Sequence, residues 1–86
     1  MKDNLQVCVG IHCHEQPEQL HATLESVRRT ANVKLILLPD GPDPRMRQAL
    51  RSLNDIPQYD SEKPAGTAAC FNRLASVSKA DVIVLL

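Results

Sequence analysis

Two strand-length apolar runs, residues 33–38 and 82–86, alternate with segments of helical periodicity, and this pattern constrains the fold more than any other feature. Neither run alternates with polar residues. That suits a parallel strand covered on both faces rather than an antiparallel strand with one face in water. A further strand is expected over residues 5–11, with Val7, Val9 and Ile11 facing one side and Cys8, Gly10 and His12 the other. Small residues on the second face would let a helix or a ligand approach the backbone closely.

Between the strands lie three expected helices. Pro17 opens the first, where its missing N–H costs nothing, and Glu18 near its start with Arg28 and Arg29 near its end match the helix dipole. Leu20, Leu24, Val27 and Ala31 form its apolar stripe, and Asn32 is its stop. Asp43 and Pro44 supply the cap and first residue of the second helix, with Met46, Ala49, Leu50 and Leu53 as the buried side and Asn54-Asp55 as its close. Thr67 is the expected cap of a third helix to about residue 78, with Cys70, Phe71, Leu74, Ala75 and Val77 as its apolar side. A short strand is expected over residues 56–59, with Pro57 placing it at a sheet edge.

The expected order is therefore β-α-β-α-β-α-β. It implies a Rossmann-like three-layer αβα fold with a mostly parallel four-stranded sheet, built as one domain over residues 1–86. Such sheets bind ligands at the carboxyl ends of their strands, which directs attention to the loops at 12–16 and 39–44. The second loop has three prolines and a glycine in six residues and is a stiff turn. The run at 82–86 ends without a turn, a cap or a polar tail, which suggests that the sequence is the first part of a longer α/β domain.

Composition removes several function classes. Ten Lys and Arg balance ten Asp and Glu, so no electrostatic footprint for nucleic acid exists. Tyr59 and Phe71 are the only aromatic residues, too few for a base-stacking platform. No apolar run approaches the roughly 20 residues that span a bilayer, and Met1-Lys2-Asp3-Asn4 is not the start of a signal peptide, so the cytoplasm is the expected location. Three cysteines, an odd number, agree with that reducing setting. Cys8, His12, Cys13 and His14 invite comparison with a metal or thiol sensor, but their spacing fits no strong zinc pattern, and no metal ligand is assigned. The three glycines form neither a dinucleotide fingerprint nor a phosphate loop. His12-Cys13-His14 also lacks the acidic cluster of a phosphorylated receiver domain.

Four ordered segments resemble the start of a family 2, GT-A type glycosyltransferase. They are the strand and loop from Val7 to Glu15 followed by Pro17-Glu18 and Leu24-Glu25-Ser26-Val27; the turn Pro39-Asp40-Gly41-Pro42; the helix entry Gly66 to Leu74; and Ala80-Asp81 before the last apolar run. The chain departs from the family at His12, Cys13 and His14, where Pro, Thr and Tyr are usual. It departs again at Pro39 for aspartate, Phe71 for arginine and Leu74 for glycine. The resemblance implies a truncated GT-A fold and the binding of a nucleotide-diphosphate sugar, whose sugar the whole enzyme would transfer to an acceptor. Asp40 would accept from the base or ribose, His12, Cys13 and His14 would line the base pocket, and Gly66 would bring backbone near the nucleoside. No catalytic residue is assigned. The Asp-x-Asp motif with its Mg or Mn would follow residue 86, so these residues alone would be inactive and hold no cofactor.

Each assignment has a plainer alternative. Asp40 in Pro-Asp-Gly-Pro is also a good turn residue bonding its own backbone. The whole chain also fits a binding or assembly module that keeps the fold without the chemistry. An apolar terminal strand at a sheet edge would favour a homodimer through residues 82–86.

Overall fold

A computed structural model of the chain describes residues 5–30 and 32–86. The elements run β1 (Val7–Cys13), α1 (Pro17–Thr30), β2 (Lys34–Pro39), α2 (Pro44–Arg51), α3 (Thr67–Val77) and β3 (Val82–Leu85). The strands form one sheet in the order β2-β1-β3, and central β1 is parallel to both neighbours. The expected parallel α/β architecture is therefore present, with three strands rather than four.

The expected fourth strand is reduced to two isolated bridges, Leu37 with Gln58 and Asp40 with Ser61. The segment still runs along the outer edge of β2, where Leu37 N donates to Pro57 O (2.9 Å) and Tyr59 N donates to Leu37 O (3.0 Å). A continuous ladder does not form. Pro57 has no amide proton, and the Gln58 side chain turns back to donate to Leu50 O and Leu53 O.

The two faces of β1 divide the core as the alternation predicts. Val9, Ile11 and Cys13 pack with Leu20 and Leu24 of α1 and with Met46 and Leu50 of α2. Cys8 packs on the other face with Ile36, Leu38, and Cys70 and Leu74 of α3. Gly10 is needed on that face because a Cβ there would lie 2.8 Å from Leu74 Cδ2. The close approach anticipated for this glycine is thus made by a helix.

Local chemistry sets the helix ends. Asp43 Oδ1 accepts from Met46 N (2.8 Å), and Pro44 begins α2 as expected. The helix stops earlier than its stripe suggested, at Arg51, leaving Leu53 half-buried in the following turn. At α3 the cap position is Gly66, not Thr67, and it offers no side-chain bond. Phe71 and Ala75 face solvent, because only Cys70 and Leu74 of that helix point squarely at the sheet. Ala31, the last residue of the expected α1 stripe, lies outside the described residues, as do Met1 to Asn4.

The last apolar run also departs from expectation. Val82 and Val84 are 39% and 38% exposed, since α1 and α2 cover β1 and β2 on that face. Ile83 and Leu85 point to the other face and pack against the α3 cluster.

Candidate functional site

Asp40 directly follows β2 and is only 2% exposed, an unusual place for a carboxylate. Its backbone N–H donates to Cys13 O (2.7 Å), which ties the ends of β1 and β2 together. One carboxylate oxygen, Oδ1, accepts from Ala65 N (2.7 Å). The other, Oδ2, accepts from Gly66 N (3.0 Å) and from His12 Nε2 (3.0 Å). Burial pushes the carboxyl group up. The hydrogen bond from His12 and the two backbone donors outweigh that push and hold it below its ordinary value. An ionised carboxylate only accepts, so Nε2 of His12 carries the proton.

The surrounding turns exist to allow this arrangement. Gly41 has φ of 53°, and a Cβ there would lie 2.4 Å from Pro64 Cδ, so the turn after Asp40 closes only with glycine. Gly66 has φ of 91° and ψ of 171°, a conformation open essentially to glycine alone. That conformation presents its N–H to Asp40. A Cβ on Gly66 would meet nothing within 4 Å, so the requirement is conformational. The Asp40 charge thereby sits at the amino end of α3 and replaces the side-chain cap the helix lacks.

The five residues singled out from sequence have different fates. His12 and His14 both reach Asp40, the first through its carboxylate and the second by donating from Nδ1 to the Asp40 carbonyl oxygen (2.7 Å). Gly66 joins the same cluster through its backbone. Cys13 is fully buried on the α1 and α2 side, and its thiol donates to Ile11 O (3.2 Å). Burial, helped by Cys70 and opposed by a backbone hydrogen bond at Leu38, pushes that thiol up to about 12, so it is an inert core group.

A cleft of about 520 Å³ opens at the carboxyl rim, over the ends of β1 and β3. His12 lines it, and Glu15, Gln19 and Thr67 join it as polar groups above a floor that includes Met46 and Leu85. The last three polar residues were not singled out from sequence, although Glu15 and Gln19 flank the start of α1, which the Pro17 signal places beside the rim. Asp40, His14, Cys13 and Gly66 lie outside the lining, so Asp40 acts on the cleft through His12. Arg73 was also missed. It donates from Nη1 to Pro39 O (3.2 Å) and Tyr59 O (2.6 Å), fastening α3 to the end of β2 and to the edge segment.

A second cleft, about 440 Å³, lies at the opposite end of the strands between Leu5, Val7, Lys34, Val77 and Lys79. That is the amino end, where open parallel sheets do not place their ligands. No described helix is long and apolar enough to cross a membrane. Compared with protein-family models, curated proteins and solved structures, the chain matches none of them.

Proposed function

We propose that this chain binds a nucleotide-diphosphate sugar at its carboxyl rim, as the nucleotide-binding part of a GT-A type glycosyltransferase acting in the cytoplasm. The observation that supports the reading is the convergence of the two loops: His12 and Asp40, 28 residues apart, meet at 3.0 Å beside the rim cleft. The location is the one parallel α/β sheets use for nucleotides. The four ordered sequence segments supply the sugar-transfer part of the reading.

The geometry changes the role of Asp40 within this reading. Its two oxygens already hold three donors and are shielded from solvent, so the residue orients His12 instead of touching the nucleoside. The ligand-facing groups are then His12, Glu15, Gln19 and Thr67. The His12 ring offers a flat face to the base, Glu15 accepts from ribose hydroxyls, and Gln19 and Thr67 can both donate and accept. His14 braces the loop through the Asp40 carbonyl. On this reading the named residues bind the nucleotide, and none of them is assigned to catalysis or to holding the diphosphate. A homodimer through β3 fits the same reading, since β3 pairs with β1 on one edge only and leaves Val82 and Val84 exposed.

The internal commitment of Asp40 also favours a second reading, a binding or assembly module that keeps the fold without the chemistry. Amide chemical shifts measured during titration with uridine and guanosine diphosphates separate the two. Saturable shifts at residues 12–16, 67 and 85–86 support nucleotide binding. Unchanged spectra at millimolar nucleotide leave the module.

A further inference from the structure

The fold assembles a set of side chains that no spacing in the sequence reveals. His12 at the end of β1, Asp40 after β2 and Cys70 in the first turns of α3 each offer a ligand atom, and all three atoms lie within 4.8 Å of one another. We propose that this set binds one zinc-like divalent ion through His12 Nε2, an Asp40 carboxylate oxygen and Cys70 Sγ. The fourth position would be left to water or a ligand from the rim cleft that His12 lines.

The donor chemistry selects the class of ion. Imidazole, thiolate and carboxylate together suit zinc and its borderline neighbours, whereas Mg and Ca take oxygen ligands. Size agrees. Around a tetrahedral zinc with bonds of about 2.0 Å to nitrogen or oxygen and about 2.3 Å to sulfur, neighbouring donors stand roughly 3.3–3.6 Å apart. The 3.0 Å between Nε2 and Oδ2 is already near that spacing, and the 4.8 Å limit of the whole set means that the Cys70 side chain must close in as an ion enters.

The supporting contacts are in place as well. Ala65 N and Gly66 N hold the Asp40 carboxylate, and ligating carboxylates are normally fixed by such donors. The ion takes over only the place of the His12 proton. Arg73 Nη2 sits 3.4 Å from Cys70 Sγ, and its other nitrogen is anchored on Pro39 O and Tyr59 O. Burial and the Asp40 charge disfavour a Cys70 thiolate, the Arg73 cation offsets part of that, and a bound ion would supply the rest. On binding, the Cys70 S–H bond breaks, its electron pair goes to the ion, and its proton goes to solvent. His12 moves its remaining proton from Nε2 to Nδ1, and nothing is oxidised or reduced. Without an ion, the His12 to Asp40 hydrogen bond fills the same space, so the fold does not need the metal to form.

This inference does not rest on nucleotide binding, and its test contains no nucleotide. Cobalt(II) titrated into the reduced chain is expected to produce a thiolate-to-cobalt band in the near ultraviolet. The band saturates at one equivalent and disappears when zinc is added. Cys70→Ala abolishes it. His12 is only partly buried, so His12→Ala keeps the fold and serves as the second variant, weakening cobalt binding by more than the roughly 10–100-fold that loss of an outer-shell partner costs. Absence of the band, or a band that neither substitution alters, would overturn the assignment.

Discussion

The two flanks of the sheet began as the same kind of sequence and ended in different environments. β2 has Leu37 and Leu38 at 0% exposure, covered on both faces, and its outer edge is partly met by residues 57–61. β3 has an equally apolar sequence, yet Val82 is 39% and Val84 38% exposed, and among the described residues nothing covers its outer edge. An apolar run therefore specifies a strand, but its burial depends on what the neighbouring connections bring over it. β2 has a helix on each face and a chain segment at its edge. β3 has α3 on one face only.

Truncating a side chain on each flank should separate the two environments most strongly. Leu38→Ala should cost about 2–5 kcal/mol in urea denaturation, because a fully buried leucine leaves a cavity. Val84→Ala should cost less than about 1 kcal/mol, since the residue stands partly in water. Equal losses would mean that β3 is covered in solution.

A smaller effect is expected at the rim. Asp40→Asn replaces an acceptor by an amide whose N–H groups face Ala65 N, Gly66 N or His12, and should cost about 1–3 kcal/mol. The pH dependence has a definite sign. The folded carboxyl titrates below its unfolded value, so its contribution is full above about pH 4 and fades as pH falls through the folded pKa. Denaturation midpoints between neutral and strongly acid pH should fall more steeply in the native chain than in Asp40→Asn.

Gly66→Ala should destabilise by about 1–3 kcal/mol although a Cβ has open space there, because the conformation itself is strained for alanine. Thermal unfolding of this variant beside Asp40→Asn, and of the double variant, tests whether the two residues act together. A loss smaller than the sum of the singles is expected. Asp43→Ala removes the α2 cap and should cost about 1 kcal/mol by the same assay.

Much of the fold was legible because it depends on local patterning. The alternation in Val7 to His12 correctly assigned the two faces of β1, and Asp43-Pro44 correctly placed the start of α2. The edge strand at 56–59 was not legible. Its fate turned on Pro57 and on a Gln58 side chain that prefers the carbonyls ending α2, a tertiary competition with no periodic signature. The site divides along the same line. The strand ends directed attention to the loops that hold His12, His14 and Asp40, and the glycosyltransferase resemblance singled out these residues and Gly66. The burial of Cys13 below it follows from continuing the odd-residue face of β1 by one step, a signal present in the alternation. The arrival of Cys70 and Arg73 at Asp40 depends on how α3 lies across the sheet, which only packing determines.

Everything at the rim depends on a buried Asp40 carboxylate holding His12 in one orientation and one protonation pattern. Long-range proton–nitrogen correlation spectra of the imidazole rings at neutral pH report this directly. His12 is expected to be fixed with its proton on Nε2, and to lose that fixed state in Asp40→Asn. A His12 ring that averages between both tautomers in the native chain, and is unaffected by Asp40→Asn, would contradict it.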